Sequence, residues 1–187
     1  MTSPADTESA ELSGQSHIEE ALAFLRLLPV FRDTPLDILK LYAYLSRKEE
    51  FRKNEIILRP GTPSDRMLLI MDGEVAISHQ HGDRLILLQI LTADRLNYFG
   101  ELALVAEFDW FFCATAHTDV SLLSISRESF RRIMERYPER YMGAVAKIVR
   151  LRIDRFVGQT NYLLGQMDQA TLEQLTIRGI DPTDITG

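Results

Sequence analysis

The sequence predicts an α+β fold: an antiparallel β-barrel or jelly roll flanked by N-terminal helices and a long C-terminal helix. Three observations carry that expectation. Apolar residues recur at helical spacing over 16–46, short β-rich runs broken by turn signals fill Glu49 to Ile125, and helical spacing returns after Ser126. The 187 residues are 45% hydrophobic and 26% charged, which suits one globular domain with extensions. No apolar run approaches the roughly 18–20 residues that cross a bilayer. The first sixteen residues carry no Lys or Arg and no apolar stretch of the kind a secretory leader needs, and a lone Cys113 permits no intrachain disulfide. A cytoplasmic protein without membrane contact is expected.

Residues 1–15, rich in Ser, Thr, Ala and acids without periodicity, read as a disordered acidic tail. Ser16-His17-Ile18-Glu19 fits a capping box, and Ala21, Leu22, Phe24, Leu25 and Leu28 then form a helical stripe that Pro29 ends. Thr34-Pro35-Leu36-Asp37 starts a second helix, with a cap hydroxyl, a proline at the first helical position and an acid near the positive end. Strands are expected over 55–58, 67–71, 74–78, 84–91, 111–118 and 120–125. Asp72-Gly73 suits a type I′ hairpin, and His81-Gly82-Asp83 marks a further turn. The barrel domain with its flanking helices should therefore occupy residues 16–138.

A long helix is expected over 139–167, more than 40 Å at about 1.5 Å per residue. Met142, Val149, Phe156 and Leu163 recur every seven residues with Val145 beside them, although Arg152 and Gln159 interrupt that seam; Tyr141, Ala144, Ile148 and Leu151 form a second row. Two apolar rows on one helix suggest two partners, its own β-domain and a second copy of the chain, so a homodimer is expected. Residues 168–187 read as a short C-terminal tail. The segment 127–155 holds nine bases against four acids, which reads as a solvated helix face.

The motif with chemical content is Phe99-Gly100-Glu101-Leu102-Ala103-Leu104, followed after a loop by Cys113-Ala114-Thr115-Ala116. Here the sequence resembles the cyclic nucleotide-binding domain family, which includes catabolite activator proteins and the regulatory subunits of protein kinase A. The likeness covers roughly residues 20–157 and includes the Gly73-Glu74-Val75 hairpin. It implies a ligand site made of Phe99, Gly100, Glu101, Leu102, Ala103, Leu104, Phe112, Cys113 and Ala114, with cyclic AMP or cyclic GMP as the ligand. In the family, the glycine lets the backbone approach the ligand and the amides of the short helix point at the cyclic phosphate. The family's glutamate, matched by Glu101, accepts from the ribose 2′-hydroxyl. An arginine just before the small-residue strand pairs with the phosphate.

That arginine's place is held by Phe112, and no Lys or Arg occurs between Arg95 and Arg127. Losing a charged hydrogen bond in such a site costs on the order of 1.5–3 kcal/mol, so family-like nucleotide affinity should fall by one to several orders of magnitude. The connecting segment adds Glu107 and Asp109 beside Phe108, Trp110 and Phe111. Trp110 or Phe112 then fills the pocket as a plug, stacks on a planar ligand, or simply packs locally. Arg84 and Arg95 are the other candidates for reaching a phosphate.

Other classes find less support. His79-Gln80-His81 has the spacing of two metal ligands on one strand, but no spaced glutamate follows, and His79, His81 and His117 read as solvent-facing. The chain has no nucleophile elbow and no P-loop, so an enzyme is not expected. About 20 residues follow Met167, with a single base, Arg178, among residues 156–187. A three-helix DNA-reading unit does not fit there, and no direct DNA binding is expected. The reading is a non-enzymatic sensor with a modified phosphate-binding cassette that signals through a dimer helix to a protein partner. The alternative is a degenerate member of the same fold with a self-filled pocket, acting as a dimeric scaffold.

Overall fold

Helix α1 (Pro4–Leu27) reaches upstream of the expected start at Ser16, which lies inside it. Pro4 occupies its first position, where a missing N–H costs nothing, and the Ala and Glu residues that follow are good helix formers. The computed structural model describes residues 4–95 and 97–175, with side-chain surroundings from residue 15 to residue 173. The chain divides into two compact units, Met1–Val149 and Arg150–Gly187. In the first, the helical stripe ends in the buried Ala21, Leu25 and Leu28, and a 3-10 turn (Pro29–Phe31) leads to helix α2 (Leu36–Leu45). The N-cap of α2 is Pro35, and no side chain caps it.

Eight strands follow: β1 (Arg47–Phe51), β2 (Ile56–Leu58), β3 (Arg66–Asp72), β4 (Glu74–His81), β5 (Arg84–Thr92), β6 (Tyr98–Phe99), β7 (Cys113–Ala116) and β8 (Val120–Ser126). They form two separate four-stranded antiparallel sheets, ordered β1-β8-β3-β6 and β2-β7-β4-β5. The expected closed barrel or jelly roll is therefore not formed. Among the described residues no ladder joins the two sheets, and two of the four edge strands, β2 and β6, have only three and two residues. Strand count and turn spacing predict antiparallel sheets, but closure depends on edge strands long enough to pair.

Between β3 and β4, Gly73 has φ +83° while Asp72 does not share a positive φ, so the hairpin is not the type I′ turn expected. A side chain on Gly73 would collide with the carbonyl of Asp119, which explains the glycine. The two sheets enclose Leu68, Ile70, Val75, Ile77, Leu91, Ala114, Ala116, Val120 and Leu122. The alternate residues Met67, Leu69, Leu123 and Ile125 are also fully buried, so the β1-β8-β3-β6 sheet is covered on both faces. Helices hold to that sheet's edge: Lys48 of β1 pairs with Glu20 of α1 at 3.1 Å, and His17 Nε2 lies 3.3 Å from the Ser46 carbonyl oxygen.

Helix α3 (Arg127–Arg136) follows β8 directly. Ser126 caps it by accepting from the Ser129 N–H at 3.0 Å. The Ser129 hydroxyl donates to the Leu45 carbonyl at 3.2 Å and Tyr137 to Asp37 at 3.1 Å, seating α3 on α2. A 3-10 turn (Pro138–Arg140) then opens helix α4 (Tyr141–Gln166), in which Ile148 is buried. The second unit comprises the later part of α4 and helix α5 (Gln169–Leu175), capped by Asp168, which accepts from the Thr171 N–H at 2.7 Å. That hydrogen bond holds the Asp168 carboxyl below the usual carboxylate range. Residues 176–187 of the expected tail lie outside the described residues.

Candidate functional site

The cassette begins where β6 gives way to Gly100, whose φ of +80° is left-handed. A Cβ at this position would sit 2.7 Å from the Arg66 carbonyl oxygen and 2.9 Å from Trp110 Cη2. Both the backbone angle and the space therefore demand glycine. A 3-10 turn (Glu101–Leu104) follows, burying Glu101 at 3% exposure together with Ala103 and Leu104; Leu102 is half-buried.

Opposite the cassette, residues 107–112 form an aromatic strap laid along residues 61–64. The Gly61 N–H donates to Trp110 O at 2.7 Å, the Trp110 N–H to Thr62 O at 2.9 Å, and the Ser64 N–H to Phe108 O at 2.8 Å. This pairing is antiparallel and centres on a bridge between Pro63 and Asp109. It imposes a period of two on the side chains. Phe108, Trp110 and Phe112 turn inward, while Glu107, Asp109 and Phe111 are exposed. The Trp110 ring stands 5.3 Å from Phe108 at 85° and 5.4 Å from Phe112 at 59°, the edge-on and tilted geometries that aromatic quadrupoles favour. Trp110 is 2% exposed.

Phe99, Ala103, Trp110 and Ala114 thus share one buried cluster, with Phe112 packed partly buried against it. Cys113 is buried in β7 beside Ser78 of β4, and Leu104 lines a neighbouring groove. Arg84 is exposed at the start of β5 opposite His81, and Arg95 is exposed at the end of a 3-10 turn (Ala93–Arg95). His79 and His81 are exposed, and His79 Nδ1 lies 2.9 Å from the Phe111 carbonyl oxygen. Among the described residues, no group of three or more His, Cys, Asp or Glu side chains is placed to hold a metal.

A guanidinium does reach the cassette, from Arg127 at the first position of α3. Its Nε donates to Ala103 O at 2.6 Å, and its Nη2 donates to Ala106 O and Ser64 O at 2.7 Å each. Its Nη1 lies 3.3 Å from Glu107. Of these acceptors, Ala103 O and Ala106 O lie at the far end of the 3-10 turn, where a cation complements the orphan oxygens, and Ser64 O belongs to the segment under the strap. None is at the start of the turn, where the free amides are. Sequence spacing could not reveal this contact, because the partners lie 20 to 63 residues away. A groove of 510 Å³ opens beside it, lined by Leu104, Ala106, Arg127, Phe130, Met134 and Tyr141 among others.

The profile of the family described as "Cyclic nucleotide-binding domain" matches residues 48–137, the span that holds both sheets, the cassette and α3. Residues 48–137 form a cyclic nucleotide-binding-like domain. The chain is 28% identical over 124 residues to a cGMP-dependent protein kinase of Drosophila melanogaster, a match spanning 65% of this chain but only 16% of that protein. Its fold matches a cyclic nucleotide-binding domain from Methylobacillus flagellatus with a TM-score of 0.69 and 17% identity, over 82% of this chain and 85% of that one. It also matches the regulatory subunit of a cAMP-independent protein kinase A from Trypanosoma brucei, with a TM-score of 0.61 and 18% identity over 88% and 53% of the two chains. Among the described residues, no helix is long and apolar enough to cross a membrane. The described helices after the domain are α4 and the seven-residue α5, and no three-helix DNA-reading unit is among them.

Proposed function

We propose that the domain is a non-catalytic regulatory module whose ligand cassette is altered by its own aromatic strap. The observation that carries this reading is Trp110, packed against Gly100 at 2% exposure between Phe108 and Phe112. The left-handed Gly100 and the buried Glu101 support a ligand role for residues 99–104. Phe112 brings no charge to a cyclic phosphate, so cyclic AMP and cyclic GMP should bind far more weakly than in members that carry the family's arginine. A ligand that engages the cassette would shift the population of α3 and α4 positions, and a protein partner would read that shift.

The exposed face of α4 supports dimerisation. Met142, Val149, Phe156 and Leu163 are all exposed, and the positions four residues on from each are Ala146, Ile153, Thr160 and Met167. In this four-residue spacing the seam carries no charge and is apolar except at Thr160, whereas the three-residue spacing from the same residues brings in Arg152 and Gln159. Phe156→Glu should convert a dimer to a monomer by analytical ultracentrifugation; a wild-type monomer would remove the seam from the proposal.

The same indole supports a second reading, in which the strap fills the pocket permanently and the domain is a scaffold. Isothermal titration calorimetry with cyclic AMP and cyclic GMP separates the two. Saturable heat that Glu101→Ala abolishes supports the sensor, and silence at millimolar nucleotide from folded protein supports the scaffold.

A further inference from the structure

Arginine is poorly placed at the first position of a helix, since its charge opposes the positive end of the helix dipole. Glu128 beside it is the residue the dipole favours there. A locally unfavourable residue signals a tertiary demand that overrides local preference. Here that demand is visible. Arg127 ties three separate segments together: its backbone N–H donates to Asp65 O at 2.7 Å, and its side chain binds Ser64 O, Ala103 O, Ala106 O and Glu107. Ser64 in turn receives the Phe108 N–H on its hydroxyl at 3.3 Å, and the Arg127 Nη2 lies 3.2 Å from the same oxygen.

We infer that Arg127 is the positioning residue through which the cassette, the aromatic strap and helix α3 move as one unit. Its reach fits that role. The 510 Å³ groove, lined by Leu104 of the cassette, Glu107 of the strap and Phe130, Met134 and Tyr141 of the helices among others, leaves this part of the boundary incompletely packed. A planar fork with five donors spread over three nitrogens can reach carbonyls of separate segments at once across such a gap, whereas a lysine gathers its three donors on one nitrogen. The clamp stands on this geometry alone, and only its use in signalling rests on the regulatory reading above.

Hydrogen–deuterium exchange on the full chain without ligand tests it. Arg127→Ala should speed exchange by about tenfold or more in residues 101–107 and 127–131, while the cores of β3 and β8 keep wild-type protection. Unchanged exchange in 101–107, or a rise spread evenly over the chain, would overturn the proposal. Arg127→Lys, which keeps the charge and one set of donors, should fall between the two and serves if the alanine variant does not fold. Coupling gives the decisive readout. Ser126→Ala, which uncaps α3, should loosen residues 101–107 in the wild-type background and add nothing there once Arg127 is replaced. Additive effects would assign Arg127 a purely local role. No nucleotide is used, so a failure to bind cyclic AMP leaves this test intact.

Discussion

The cassette turn and the aromatic strap face each other across a few ångströms, yet they are built on opposite chemistry. The turn, residues 99–104, is a conformational solution: a left-handed Gly100 and a short 3-10 turn hold the backbone, and a buried carboxylate sits at its start. The strap, residues 107–112, is a packing solution in which Phe108, Trp110 and Phe112 enter the core and Glu107, Asp109 and Phe111 leave it. A turn can be retained while the surface opposite it changes, because backbone geometry and side-chain chemistry are separately adjustable. On the proposed reading, the turn keeps the backbone of a ligand cassette, and against it stands the wall of a hydrophobic core.

Substitutions on the two sides should therefore fail differently. The largest effect is expected from Trp110→Ala, which empties a fully enclosed aromatic site and should cost about 3–5 kcal/mol in denaturant unfolding. A loss below about 1 kcal/mol would show that the strap is an ornament on the core. Gly100→Ala should cost about 2–4 kcal/mol, because it combines a left-handed backbone with contacts to Arg66 O and Trp110 that are too short. It should do so with the strap's own hydrogen-exchange protection reduced, since the indole must retreat. Phe112→Arg restores the charge the strap lacks and should tighten cyclic nucleotide binding about ten- to a hundredfold in calorimetry. Unaltered affinity would mean that this position does not face the phosphate. Asp109→Asn should be the mildest, within about 0.5 kcal/mol and without effect on nucleotide affinity, because that carboxylate points to solvent. A marked gain in affinity would place the acid inside the site after all.

Much of this was legible in the sequence wherever the determinant is local. The Phe99-Gly100-Glu101 turn is marked by the run Phe99–Leu104 that resembles the family's cassette, and β8 and α3 by β-rich sequence that gives way to helical spacing after Ser126. What depends on long-range pairing was not legible. Strand β1, Arg-Lys-Glu-Glu-Phe, looks like a charged loop and becomes a strand by pairing along β8. Strand β6 has two residues and forms against β3. The inward and outward alternation of the strap follows from its pairing with residues 61–64, about 47 positions earlier, so the sequence could not say that Glu107 and Asp109 face away. Sheet closure failed as an expectation for the same reason. Arg127 sits in a run of bases that composition assigns to a solvated face, and only its distant carbonyl partners separate it from Arg131 and Arg132, which pair with Glu128 on the helix surface.

The position of Trp110 also gives the site its own optical probe. It is the only tryptophan in the chain, it is enclosed by two phenylalanine rings, and its ring edge meets the cassette glycine. Its emission should be blue-shifted and poorly quenched by iodide in the resting protein. Any event that parts the strap from the cassette should move that emission to the red, without a label or an introduced chromophore.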